Sequence, residues 1–182
     1  MQNFGSKHSD TFVEQIVRRK KGGSDFLIIF LLILAFVLVM AVATYFIQFT
    51  FYFLPLILVF GIWGLWRLIT KRNIEFEYIC TNGMLDIDAI YNKRSRKRQI
   101  SMTAQNMEIV APISDSEFDH YSRLGEYKKH DYTSNTGDDG VWFFTGTYKE
   151  NKVLITFEPE ERIIKDLKRF NPRDVKYNAI QG

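Results

Sequence analysis

Between Phe26 and Trp66 the chain runs for 41 residues without an Asp, Glu, Lys or Arg. About 20 apolar residues cross a bilayer as a helix, so the run holds enough for two crossings. One continuous helix of this length would reach roughly 60 Å at 1.5 Å per residue, far more than the hydrocarbon layer. The run therefore predicts a membrane hairpin of two transmembrane helices over residues 25–71. Tyr45, Gln48, Thr50 and Tyr52 cluster in its middle and Pro55 follows, and proline suits the first turn of a helix. Span one is placed at Asp25 to Phe46 and span two at Leu54 to Lys71. Phe49, Phe51, Tyr52 and Phe53 between them suit the headgroup layer, where aromatic rings collect. Trp63 and Trp66 mark the opposite interface, with Arg67 snorkelling beside them. Gly61 and Gly64 in span two would permit close helix contact, although their spacing is not that of a GxxxG motif.

Charge sets the expected orientation. Arg18, Arg19, Lys20 and Lys21 precede span one, Arg67, Lys71 and Arg72 close span two, and the loop between the spans is uncharged. Basic flanks stay in the cytoplasm, so the expectation is a multi-pass protein of the cell membrane with both termini cytoplasmic. The net charge of +3 comes from this flank. Residues 1–70 hold 6 basic and 3 acidic residues, whereas residues 71–182 hold 18 of each. A basic balance confined to membrane flanks does not point to nucleic acid. The single cysteine, Cys80, excludes an internal disulfide and suits a reducing compartment.

Residues 1–24 read as a cytoplasmic arm. Thr11 and Glu14 have capping-box spacing, and Phe12, Val13, Ile16 and Val17 form a stripe at helical period. The expectation is a short amphipathic helix on the leaflet, ending in the basic cluster Arg18 to Lys21. That cluster serves either as attraction to anionic lipid or as a topology signal alone.

From Ile74 the apolar period becomes two. Ile74, Phe76, Tyr78 and Cys80 alternate with polar residues, Asn82-Gly83 supplies a hairpin turn, and Leu85, Ile87, Ala89 and Tyr91 alternate again. Further strands are expected at 98–103, 107–112, 126–133, 141–148 and 152–157, with 114–125 a loop or one helical turn. Pro159 opens a C-terminal helix whose apolar face is Ile163, Ile164, Leu167 and Phe170, and Asn171-Pro172 stops it. Residues 171–182 read as a loose tail. The fold class is thus a membrane hairpin joined to a small β-rich α+β domain at 73–170. Six or seven antiparallel strands curl toward a barrel, and the terminal helix caps it.

This element order resembles the pleckstrin-homology-like (PH-like) domains of bacteria. The stretch EFEYICTNGMLDIDAIYNKRSRKR looks like a family of bacterial membrane proteins with two spans and a cytoplasmic PH-like domain. The resemblance implies a binding module and supplies no catalytic residue.

The sharpest local feature is Lys93-Arg94-Ser95-Arg96-Lys97-Arg98, placed between the second and third strands. Lys93, Arg94, Arg96, Lys97 and Arg98 would contact anionic headgroups or a partner, helped by the tether. A second reading comes from the turn. If Asn82-Gly83 closes a two-residue loop, residues summing to 165 face each other and Glu77 opposes Asp88. Like charges so placed destabilise the ladder, and the basic run would neutralise them. Asp115, Glu117, Asp119 and Glu126 match calcium-loop positions, but His120 stands where that loop needs glycine. His120 and His130 lack further ligands at zinc spacing. No phosphate loop, nucleophile elbow or Cys/His pair occurs. Trp142, Phe143, Phe144 and Tyr148 read as core, with Trp142 or Phe144 as a contact surface. The expectation is a non-catalytic module without metal or cofactor. Its partners would be the lipid bilayer and a protein or second copy, not nucleic acid or a small-molecule substrate.

Overall fold

The computed structural model describes residues 11–137 and 139–177. The first ten residues of the expected arm, Asp138 and the last five residues of the expected tail lie outside them. Eight strands form two four-stranded sheets, ordered β1-β2-β3-β4 and β5-β7-β8-β6. The sheets face each other across the core and do not close into a barrel.

The first strand overturns the expectation for the arm. Phe12–Arg18 is strand β1, not a helix. It pairs antiparallel with β2 (Ile74–Thr81) over its whole length, from Phe12 opposite Thr81 to Arg18 opposite Glu75. Val13, Gln15 and Val17 turn inward, while Phe12, Glu14 and Ile16 are exposed. Thr11 does not cap a helix: its hydroxyl donates to Asp166 at 2.5 Å. Pairing with β2 satisfies the backbone groups of β1 that face it and buries Val17, whereas an isolated helix this short is marginal in water.

The apolar run lies between these two paired strands. α1 (Gly23–Tyr45) is long and apolar enough to cross a membrane. α2 (Ile47–Thr50) is a single turn, and α3 (Leu54–Thr70) is shorter at 17 residues. Pro55 sits in the first turn of α3, as expected. Gly61 on α3 meets the ring of Phe36 on α1, leaving no room for a Cβ, whereas Gly64 faces open space. At the mouth of the hairpin, Arg72 donates to the buried Asp25 through Nε at 2.8 Å. Arg18 pairs with Glu75 at 3.1 Å, and the Arg19 amide donates to Ile74 at 3.1 Å. The two ends of the hairpin are thereby stitched together.

β2 and β3 (Met84–Tyr91) form the expected hairpin, with Thr81 opposite Met84 and every pair summing to 165. Gly83 takes a left-handed φ of 75° against the ring of Phe170, a place no side chain fits. β4 (Ser95–Thr103) begins three residues earlier than expected, so most of the basic run is strand and not loop. A 3-10 turn leads to β5 (Met107–Pro112). α4 (Ser116–Arg123), capped by Asp115 accepting from the Glu117 amide at 3.0 Å, is an eight-residue helix where a loop or one helical turn was expected. β6 (Lys128–Asp131) runs parallel to β8 (Asn151–Phe157), and β7 (Trp142–Tyr148) lies antiparallel between β5 and β8.

The main core joins Phe76, Tyr78, Ile87, Ile100, Phe144 and Phe157. α5 (Glu161–Phe170) closes one end with Ile163, Ile164 and Leu167, all fully buried. α5 starts two residues after Pro159. A second cluster, with Phe143, Leu154 and Tyr127, lies under Phe118 and Tyr121 of α4. With both faces of β7 covered, Phe144 is core and offers no contact surface. Trp142 is half-buried against Tyr177. The expected tail is docked as far as Tyr177. Buried Asn171 donates to the carbonyls of Ala104 and Met107 at 2.9 and 3.1 Å, and Val175 bridges to Val110.

Candidate functional site

The β3–β4 turn lies at the same end of the sheet as the mouth of the hairpin. Asn92 and Lys93 both adopt left-handed φ, 50° and 55°, and the Arg94 amide donates to Tyr91 at 3.1 Å. The Asn92 amide donates to the Asn73 carbonyl at 2.8 Å, which fixes the turn to the end of the apolar run. On the other side, the Lys20 amide donates to Ser134 at 2.7 Å. These bonds frame a cleft of about 250 Å³ lined by Arg18, Arg19, Lys21, Glu75 and Lys93, among others. Four cations face one carboxylate, and that carboxylate is held by Arg18. Arg19, Lys21 and Lys93 form no salt bridge among the described residues. The cleft thus keeps a surplus of positive charge and donor groups, and it suits an anion of phosphate size.

The basic run divides into two sets with different work. Lys93 and Arg94 sit on the turn, and exposed Lys97 lies opposite Ala89, with no salt bridge among the described residues. Arg96 and Arg98 lean over the outer face of the sheet. Arg96 Nη2 reaches Glu77 Oε1 at 2.6 Å. Arg98 bridges Asp86, at 2.6 Å, and Asp88. Glu77 and Asp88 are paired across the ladder, and both are buried. The neutralising role of the run therefore falls to these two arginines. Burial pushes the Glu77 carboxyl above its usual range, Arg96 opposes that, and Glu14 and Asp88 add to it. Oε2 of Glu77 and Oδ1 of Asp86 have no hydrogen-bond partner among the described residues.

The remaining sequence candidates do not converge. Asp115 caps α4 and pairs with Lys176 at 3.1 Å, while Glu126 pairs with Lys152 at 3.0 Å. No group of three metal-ligating side chains occurs among the described residues. His130 stacks on Tyr132, and His120 meets Tyr121 edge-on. Cys80 is buried and donates to Asp166 at 3.2 Å; burial, reinforced by that carboxylate, holds the thiol protonated. Asp166 also accepts from the Gly83 amide at 2.9 Å, so this cluster ties α5 to the β2–β3 turn and to Thr11.

The link between Lys93 and residues 18–21 was missed from the sequence because β1 was read as a helix. The signal for half of it was present: the sum of 165 already sets Asn92 opposite Asn73.

Comparison with curated proteins finds no match, and comparison with solved structures finds none. A family model described as Bacterial PH-like domain (DUF6106) matches residues 9–177. The match begins before β1 and ends at the docked tail, so it takes in both sheets, the inserted apolar run and α5. The chain belongs to this family of bacterial PH-like domains.

Proposed function

We propose that the protein is a membrane-anchored, non-catalytic binding module. The helical hairpin spans the membrane twice, both flanks are cytoplasmic, and the basic cleft engages the phosphate of an anionic inner-leaflet lipid. One observation carries this reading. The cleft unites Arg18, Arg19 and Lys21, which precede the hairpin, with Lys93, 72 residues beyond Lys21. It opens at the end of the domain where α1 and α3 leave it, at headgroup height if those helices cross. Each basic residue near an anionic surface contributes about 1 kcal/mol, and the tether removes the need for high intrinsic affinity. PH-like domains serve typically as binding modules, which supports this reading.

The test uses the intact protein in zwitterionic micelles. Quenching of Trp63 and Trp66 by brominated phosphatidylglycerol is compared with quenching by brominated phosphatidylcholine. Stronger quenching by the anionic lipid is expected, and it is lost when Arg19, Lys21 and Lys93 are all changed to Glu. Equal quenching by both lipids rejects the headgroup reading.

A second reading, an assembly subunit or homo-oligomer, is favoured by the outer face of β1. Phe12 is 64% exposed and Ile16 52% exposed on that face. Native mass in mild detergent separates the readings, since a strict monomer argues against assembly.

A further inference from the structure

We propose that the free edge of β4 accepts an extended acidic segment of a partner protein by strand addition. Among the described residues two open sheets have four edge strands, and of these β1, β5 and β6 each carry an acidic residue while β4 carries none. On β1 the inward-turned Gln15 side chain donates to the carbonyl of Glu158 at 2.8 Å and accepts from the amide of Glu160 at 2.7 Å, and the strand carries Glu14. Val110 on β5 bridges to Val175, and the Lys176 amide donates to its carbonyl at 2.8 Å. β6 includes Asp131, which opposes an acidic strand.

β4 differs. It has nine residues and no acid, and in its second half Ile100 and Met102 are buried. Its first half, Ser95–Arg98, is exposed throughout and ends at the register shift opposite Ile87/Asp88. Antiparallel pairing with β3 leaves every second backbone N–H and C=O of this stretch facing outward.

Charge selects the occupant. Residues 93–98 carry five cations and no acid. A second copy pairing edge to edge would set cations against cations, which prevents self-association. An acidic strand would gain backbone hydrogen bonds and complementary side chains together. Among the described residues Arg94 and Lys97 form no salt bridge, and the side chains of Arg96 and Arg98 remain 55% and 45% exposed beyond their carboxylate partners. This edge is distinct from the headgroup cleft, which takes Lys93 alone from the run.

The experiment measures fluorescence anisotropy of a labelled alternating Glu-Val hexapeptide with the full chain in zwitterionic detergent. The Lys-Val hexapeptide and the Glu-Val peptide N-methylated at alternate residues serve as controls. The acidic peptide is expected to bind and the basic one not. N-methylation should weaken binding by about tenfold or more, and so should the Arg94→Glu, Lys97→Glu double variant. Equal binding of the N-methylated peptide would reduce the contact to unspecific attraction and overturn strand addition. Binding of phosphatidylglycerol without any binding of the acidic peptide would overturn it as well, while leaving the headgroup reading in place.

Discussion

Glu77 on β2 and Asp88 on β3 stand directly opposite each other in the ladder, and both are buried. Two carboxylates so placed repel, and the fold answers with Arg96 on the first and Arg98 on the second. Arg98 also holds Asp86. Removing Arg98 therefore leaves two carboxylates uncompensated. Breaking a buried pair costs about 3–5 kcal/mol, and an exposed pair about 0–1 kcal/mol. With Arg98 half-exposed, Arg98→Ala should destabilise the domain by about 2 kcal/mol. Lys97→Ala, one residue away and without a salt bridge, should stay within about 0.5 kcal/mol. Denaturant unfolding in detergent compares them, and adding Asp88→Asn to Arg98→Ala should restore part of the loss.

The Glu77 carboxyl titrates above its unfolded value. Its contribution to stability is fully present below the unfolded value and is lost as pH rises through the higher folded value. Lowering the pH through the folded value should therefore stabilise the protein relative to Glu77→Gln, which lacks this titration. Thermal unfolding of both proteins across that window provides the check; parallel pH profiles would count against the assignment.

Gly61 and Gly64 differ in their surroundings although they are one turn apart. A Cβ at Gly61 would strike the ring of Phe36, and one at Gly64 would meet nothing within 4 Å. Gly61→Leu should weaken the helical hairpin by about 1–3 kcal/mol, the usual range for overpacking. Gly64→Leu should be near neutral. Unfolding by an anionic detergent in mixed micelles distinguishes the two.

β1 precedes the apolar run yet belongs to the sheet. A chain in which residues 22–72 are replaced by a short Gly/Ser linker should fold, because Arg18 and Glu75 are already ladder partners. It should also remain in solution without detergent. A fragment beginning at residue 73 lacks β1, exposes the edge of β2 and strands Asp166 without Thr11. That fragment should aggregate or show poorly dispersed amide spectra.

Much of the sheet could be read from local pattern. Asn82-Gly83 fixed the β2–β3 register, and that register put Glu77 opposite Asp88 and supplied a reason for nearby cations. Pro159 and the Ile163, Ile164, Leu167 stripe located α5 to within two residues. β1 escaped for a physical reason. Phe12, Val13, Ile16 and Val17 satisfy a helical period as well as an edge strand does, and the deciding partner lies beyond the apolar run at Ile74 to Thr81. The misreading separated Arg18 to Lys21 from Lys93, so the cleft was invisible. α4 was obscured by its charge, although Phe118, Tyr121 and Leu124 recur every three residues on the side that meets Phe143. A strand was expected at 126–133, where β6 lies; what local pattern could not give is its parallel pairing with β8, since the expectation was of antiparallel strands.

Everything proposed for function rests on the apolar run leaving and returning through one face of the membrane. The most direct test labels single cysteines with an impermeant maleimide in a Cys80→Ser background, at Lys20, Tyr52 and Lys71 in turn. The account expects Tyr52→Cys to react in intact cells, and Lys20→Cys and Lys71→Cys to react only after lysis. Reaction of Lys20→Cys and Lys71→Cys from opposite sides would contradict it, since β1 and β2 could not then pair.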